Sequence, residues 1–351
     1  MSKININELV RPNIRDLVPY SSARSEYTAT GVIYLDANEN SFGSALGHDY
    51  NRYPDPLQLK LKEAIAAVKN TNKDFIFLGN GSDEPIDLLI RSFCEPGTDN
   101  ILLFPPTYGM YEVSAKINNV AIKEVSLTAD FQLDVPVAIA AIDGHTKLIF
   151  ICSPNNPTGN LINKDAIISL LENFGGIVVL DEAYIDFSVD SSLLPQLRKY
   201  PNLVILQTFS KAWGLAGLRL GMAFASLEII AILNKVKAPY NINLATQILA
   251  EEAISTSTFI TDKTKGIVDE RLRLYEALSS LPFVTNVFPS DANFLLVRVT
   301  DAPDLYNYLK RYGIIVRNRS SMHLCDNTLR ITIGNTKENE LLIFALNQYK
   351  Q

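Results

Sequence analysis

Hydrophobic residues along this chain gather into short runs that are apolar at consecutive positions rather than alternate ones. They are "DFIFLG" near residue 74, "NILLF" near 100, "KLIFIC" near 147, "GIVVLD" near 176, "LVILQ" near 203 and "GMAFA" near 221. A strand that is apolar on both sides must be covered on both sides, and helix-length segments separate these runs. The pattern therefore predicts an α/β fold with a mainly parallel sheet between layers of helices. Two of the helices are legible in detail. "PLQLKLKEAIAAVK" places Leu57, Leu61, Ile65 and Val68 on one face, and "DEPIDLLIRSFC" follows Ser82, a residue type suited to an N-cap. From about residue 260 a charged helix, "TKGIVDERLRLYEALSSL", leads into "VTNVFPSDANFLLVRV" and "TLRITIGN", which read as strands of a separate α+β layer. The division expected is an N-terminal arm over 1–30, where periodicity is weak, a large domain over 31–258 and a small C-terminal domain over 259–351.

Composition removes several classes of protein. The 351 residues are 47% hydrophobic and 20% charged, enough to bury a sizeable core and too apolar for a disordered chain. The net charge of -6 lacks the basic clustering of a nucleic-acid surface. The opening "MSKININELVRPN" has no apolar core of a signal peptide, and no later apolar run reaches membrane-spanning length, so a soluble cytoplasmic protein is expected. The three cysteines, Cys94, Cys152 and Cys325, are odd in number and scattered, which implies neither a disulfide framework nor a zinc cluster; buried thiols are expected. His48, His145 and His323 fit no motif and are expected at the surface or in structural roles.

In a parallel sheet of this kind ligands collect beyond the carboxyl ends of the strands, and the residues following each apolar run are conspicuously polar. After "FIFL" comes "GNGSDEP", in which Gly79, Gly81 and Ser82 make either an anion-binding helix start or a plain capped glycine turn. "PPTYGMY" offers Tyr108 as a ring partner for a planar ligand or as packing under a proline turn. "SPNNPTGN" offers the amides of Asn155 and Asn156, residues that a turn would also use. "DEAYIDF" sets Asp181 at the mouth of the sheet, where a carboxylate is costly unless a cation pairs with it. In "LQTFSKAWGLAGLRLG" a single lysine, Lys211, stands in a nearly neutral run ahead of glycines and Arg219. A lysine there either lays its stem on apolar neighbours or, with a depressed pKa, attacks carbonyl compounds to form a Schiff base. Taken together these residues meet the needs of pyridoxal 5'-phosphate: Lys211 for the aldehyde, Asp181 for the pyridine nitrogen, the Ser82 helix start with Ser210 and Arg219 for the phosphate, and Tyr108 for the ring.

Eight motifs in order, "LDANEN", "RYPDP", "GNGSDE", "PPTYGMY", "SPNNPTG", "DEAY", "TFSKAWGLAGLRLG" and "LRITIG", carry a resemblance to the fold type I, class II pyridoxal-phosphate-dependent aminotransferases. Over nearly its whole length the chain is similar to the branch of that family acting on histidinol phosphate. The resemblance implies a large domain with a mainly parallel seven-stranded sheet between helices, plus a smaller α+β domain. It makes Lys211 the Schiff-base lysine and general acid/base, and pairs Asp181 with the pyridinium. Asn156 and Tyr184 become hydrogen-bond donors to the cofactor's phenolic oxygen, Tyr108 stacks on the ring, Ser82, Ser210 and Arg219 hold the phosphate, and Asp83 is a further cofactor-binding residue. Tyr53 of "RYPDP" would reach the cofactor phosphate of a neighbouring subunit, which implies a homodimer with shared sites. Tyr20 in "LVPYSSAR", Arg317 in "IIVRN" and Arg330 in "LRITIG" look like the grip on the substrate's phosphate, with Asn156 beside them. The segment between those arginines, "NRSSMHLCDNT", lacks the glycine-rich character of many relatives. The implied reaction interconverts L-histidinol phosphate and 2-oxoglutarate with imidazole-acetol phosphate and L-glutamate, in histidine biosynthesis. Aromatic amino-acid transamination and threonine-phosphate decarboxylation are the alternatives on the same fold.

Overall fold

Each of the six apolar runs forms a strand in the computed structural model, which describes residues 4–19, 33–46, 49–256 and 258–350. The first sheet contains β1 (Ile76–Asn80), β2 (Asn100–Leu103), β3 (Ala121–Glu124), β4 (Thr146–Cys152), β5 (Ile177–Asp181), β6 (Leu203–Thr208) and β7 (Leu220–Phe224). Their order across the sheet is β1-β7-β6-β5-β4-β2-β3. Only β7 runs against its neighbours; the pairings among β2 to β6 are parallel. Edge strand β3, "AIKE", is half exposed and half polar, which is why no apolar run announces it.

Continuous apolar runs follow from burial on both faces. Leu78, Ile149, Val178 and Ile205 belong to one core, whereas their neighbours Phe77, Phe150, Val179 and Leu206 belong to another. Ile6 and Val10, near the N-terminus, are buried in that second core, and Arg11 pairs with Glu95 at 3.0 Å.

Two local expectations change. The helix Leu59–Lys69 buries Leu61, Lys62, Ile65 and Ala66, so its inner face is rotated toward 62 and 66. Val68, in the last turn before left-handed Asn70, points outward and is 42% exposed, and Leu57 precedes the helix. Ser82 does stand at the N-cap of the helix Asp83–Phe93, but with αR backbone (φ -73°, ψ -10°) and no capping bond from its side chain. Its hydroxyl and the first N–H groups of the helix are left for another partner.

The second sheet contains β8 (Val284–Val287), β9 (Phe294–Val299), β10 (Arg317–Asn318) and β11 (Thr328–Thr332), antiparallel throughout in the order β10-β11-β9-β8. Two-residue β10 is too short to leave a period in the sequence. Leu295, Val297, Leu329 and Ile331 pack in this core with Leu305 and Leu342 from the helices Ala302–Arg311 and Thr336–Gln348. The latter helix opens on a reciprocal cap: Asn335 Oδ1 accepts from the Glu338 N–H at 3.0 Å and Glu338 Oε2 accepts from the Asn335 N–H at 2.8 Å. The two sheets are joined by a small cluster in which Tyr184, Phe187 and Ala212 meet Ala292 and Phe294.

All three cysteines are buried and unpaired. His145 and His323 are exposed, and His48 lies outside the described residues. Among the described residues no helix is long and apolar enough to cross a membrane, and no group of His, Cys, Asp and Glu side chains could hold a metal ion.

Candidate active site

The carboxyl ends of β1, β4, β5 and β6 and the start of antiparallel β7 open onto one cleft. Ser82, Asp83, Tyr108, Asn156, Asp181, Tyr184, Ser210, Lys211 and Arg219 all line it. Segments separated by more than a hundred residues thus meet in one cleft.

Asp181 closes β5 and is 2% exposed. Its Oδ2 accepts from the Tyr111 hydroxyl at 2.7 Å and its Oδ1 from the Ala183 N–H at 3.0 Å. Burial pushes its pKa up to about 6 in spite of these two neutral donors. The Lys211 charge pulls in the opposite direction but does not offset the burial. Tyr111, to which the sequence reading assigns no role, is itself fixed by stacking on Phe150 at 4.9 Å and by an edge contact with Tyr108 at 5.5 Å. Its signal lies in "TYGMY", where a second aromatic follows Tyr108 at helical spacing.

At the Ser82 end two glycines permit a close crossing. Gly81 (φ +68°) donates its N–H to the Arg219 carbonyl at 2.7 Å, and a Cβ on Gly81 would lie 2.9 Å from Arg219 Nη2. A Cβ on Gly221 would collide with the Gly81 and Ser82 backbone, so no side chain fits there, and the left-handed φ of Gly81 disfavours one at that position. Arg219 itself has left-handed backbone (φ +52°) and brings its guanidinium to 3.8 Å from Asp83. Asp83 in turn accepts from the Tyr108 hydroxyl at 3.1 Å. Thr208, also without a role in the sequence reading, has its hydroxyl 3.1 Å from both the backbone nitrogen and the Oγ of Ser210. Helix N–H groups, two hydroxyls and a guanidinium converge here into an anion cradle.

Lys211 follows β6 and holds its ammonium 5.5 Å from the Tyr184 ring centroid, with its tip open to the cleft. Desolvation by the walls lowers its pKa; the Arg330 and Arg219 charges act in the same direction, against Asp181 and Asp83. Arg330 arrives from β11 in the second sheet. Its Nη1 donates to Asn156 Oδ1 at 2.5 Å, while Asn156 Nδ2 donates to the Tyr184 hydroxyl at 3.3 Å. Phe294 supports both partners, edge-on to Tyr184 at 5.1 Å and 5.3 Å from the Arg330 guanidinium. Arg317 is the register partner of Arg330 across β10 and β11, exposed and on the same side of the sheet.

Tyr53 is not part of this chain's cleft. It is 49% exposed and stacks on Tyr240 at 4.5 Å in a separate groove. Tyr20 lies outside the described residues.

Three requirements of pyridoxal phosphate are met by these observations. The cradle suits its phosphate, the buried Asp181 suits a protonated ring nitrogen, and the desolvated Lys211 suits its aldehyde.

Comparisons with known proteins agree. The family model for aminotransferase class I and II matches residues 30–346. The histidinol-phosphate aminotransferase of Cytophaga hutchinsonii is 54% identical over 345 residues, 98% of this chain and 99% of that protein. Among solved structures, the histidinol-phosphate aminotransferase of Clostridium acetobutylicum aligns with a TM-score of 0.78 at 30% identity, covering 85% of this chain and 90% of that one. The enzyme of the same name from Sinorhizobium meliloti, solved in complex with pyridoxal 5'-phosphate, aligns with a TM-score of 0.78 over 88% of each chain; at 22% identity it shows likeness of fold alone.

Proposed function

We propose, from the premise that this chain belongs to the class I and II aminotransferases and within them to the histidinol-phosphate aminotransferases, that it moves an amino group between L-glutamate and imidazole-acetol phosphate, yielding 2-oxoglutarate and L-histidinol phosphate in histidine biosynthesis. The observation that supports this reading at the site is a pair of guanidinium groups flanking Lys211, Arg219 beside Ser82 in the cleft and Arg330 bonded to Asn156 of the cleft wall, with Lys211 within electrostatic reach of both. One serves the cofactor's phosphate and the other the anionic end of the substrate.

The enzyme depends on pyridoxal 5'-phosphate, which when bound supplies an electron sink conjugated to the substrate's amino group. Ser82, Ser210 and Arg219 would hold the phosphate, and Asp83 steadies Arg219 and Tyr108. Tyr108 would lie against the ring, Asp181 would keep the ring nitrogen protonated, and Asn156 and Tyr184 would donate to the phenolic oxygen. Lys211 Nζ would hold the aldehyde and would move the proton at the substrate's Cα; its lowered pKa leaves more of it in the unprotonated form that a base needs. Arg330 orients the carboxylate of glutamate in one half-reaction and the phosphate of histidinol phosphate in the other, while Arg317 and Tyr20 meet the phosphate. On this reading residues 31–258 form the cofactor-binding domain, 259–351 the small domain that contributes Arg317 and Arg330, and 1–30 an arm. The protein acts in the cytoplasm.

A substrate panel under one set of conditions tests the assignment. Histidinol phosphate is expected to give the highest kcat/KM, ahead of histidinol and phenylalanine. A preference for phenylalanine would make the protein an aromatic aminotransferase, and carbon dioxide released from threonine phosphate would make it a decarboxylase.

The arginines separate the half-reactions. Arg317→Ala is expected to lower kcat/KM for histidinol phosphate by roughly 10- to 150-fold, the loss of one charge-assisted hydrogen bond, with a far smaller effect on the glutamate half-reaction. Arg330→Ala should damage both. Stopped-flow measurement of each half-reaction decides, and equal losses for Arg317→Ala would remove it from phosphate recognition.

Tyr53, exposed and remote from its own cleft, serves the site of a second subunit in a homodimer. Mixing Lys211→Ala with Tyr53→Phe protomers under conditions of subunit exchange is then expected to create one fully native site per hybrid dimer, with normal cofactor affinity. Affinity that remains at the Tyr53→Phe level would place Tyr53 in the site of its own chain.

A further inference from the structure

Three guanidinium groups share one side of the second sheet. Arg317 and Arg330 are register partners, and the pairing continues past β10, because the Arg319 N–H donates to the Thr328 carbonyl at 2.9 Å. Residues two apart on a strand point the same way, so Arg319 faces the side of Arg317 and lies diagonal to Arg330. That side is the cleft side, since Arg330 reaches Asn156 there.

Like charges set across from each other destabilise a sheet unless something neutralises them. Among the described residues the arginines paired with carboxylates are Arg11, Arg15, Arg52, Arg91, Arg219 and Arg273; none of the three on this face is included. Arg319 stands out further. Its Nε is buried and has no hydrogen-bond partner, although buried donors are normally satisfied. The charges of Arg330 and Arg317, after desolvation, depress its pKa, which places all three within electrostatic reach of one another.

We propose that Arg319 is a third guanidinium reading the substrate's phosphate, making it a specificity-determining residue that favours a dianion over a carboxylate. The inference rests on the histidinol-phosphate reading above. A carboxylate carries one charge and is served by Arg330, whereas a phosphate offers three oxygens and close to two charges to a cluster of donors. The planar fork of Arg319 supplies the additional donors.

The test uses the holoenzyme as wild type, Arg319→Gln and Arg319→Lys, with histidinol phosphate and histidinol as paired substrates. Arg319→Gln is expected to lose roughly 10- to 150-fold in kcat/KM with histidinol phosphate, mainly through KM, and much less with histidinol. Arg319→Lys, which keeps the charge without the fork, should recover part of the loss. The rise in melting temperature on adding inorganic phosphate should also shrink in Arg319→Gln. Equal losses on both substrates, or a full preference for the phosphorylated one in Arg319→Gln, would overturn the inference while leaving the functional reading intact. Should Arg319→Gln fail to fold, Arg319→Lys decides alone, and a loss not confined to the phosphorylated substrate overturns the proposal. A wild type without preference for histidinol phosphate would overturn the functional reading and this inference with it.

Discussion

Lys211→Ala is expected to give a folded protein with no measurable transamination in either direction. The lysine amine is the group on this chain placed to anchor the cofactor's aldehyde and to move the proton at the substrate's Cα, and an alanine methyl does neither. Its removal should cost little stability. The Lys211 tip is open to the cleft and rests against the Tyr184 ring at 5.5 Å, and substitutions at such positions change stability by about 0.5 kcal/mol or less. Melting temperature near wild type together with absent turnover is the expected pair of results. Borohydride reduction of the cofactor-loaded wild type, followed by peptide mapping, should label Lys211. A label on another lysine, or residual turnover at the wild-type rate, would remove Lys211 from the chemistry.

Asp181→Asn should have the next largest effect, and in opposite directions for activity and for stability of the cofactor-free protein. An amide cannot hold the pyridine nitrogen protonated, and breaking a buried charged pair costs about 3 to 5 kcal/mol, roughly 100- to 1,000-fold or more in rate. Without cofactor the same carboxylate is a burden. Its pKa in the folded chain, about 6, lies above the ordinary 3.8, so the folded state binds the proton more tightly than the unfolded state. Stability is therefore lost as pH rises from about 4 to about 6, and above that the penalty is complete, on the order of 3 kcal/mol at 1.36 kcal/mol per unit. The Tyr111 hydroxyl can rotate to accept from the amide, so Asp181→Asn keeps its partners and sheds the penalty. Urea denaturation of both cofactor-free proteins between pH 4 and 7 is expected to show the variant gaining on the wild type as pH rises. A constant difference across that window would mean that the buried charge is compensated within the protein.

Legibility of the fold differed from element to element for physical reasons. Six strands of the large sheet are evident because burial on both faces demands an uninterrupted apolar run, and Asp181 is evident because it interrupts one at its carboxyl end. Edge strand β3 and two-residue β10 are not, since one is half solvated and the other too brief to show a period. Ser82 is legible as a helix start, but its αR backbone leaves the helix without a side-chain cap, a torsion that residue identity does not dictate. Val68 shows the same limit for a helix face, because its exposure depends on where the helix ends and on what covers it.

By itself the sequence determined which segments are buried strands, where polar chemistry interrupts them, and, through eight ordered motifs, the family to which those interruptions belong. These are properties of composition over short windows, because burial and chain conformation restrict residue type locally. Only the tertiary structure decided who holds whom. Tyr111 reaches Asp181 across 70 positions and Arg330 reaches Asn156 across 174. Arg319 becomes notable only when register sets it diagonal to Arg330 with its Nε unmatched. Such contacts depend on strand order and on how the two sheets pack, and a hydrogen bond between distant residues leaves no period in the sequence on either side of it.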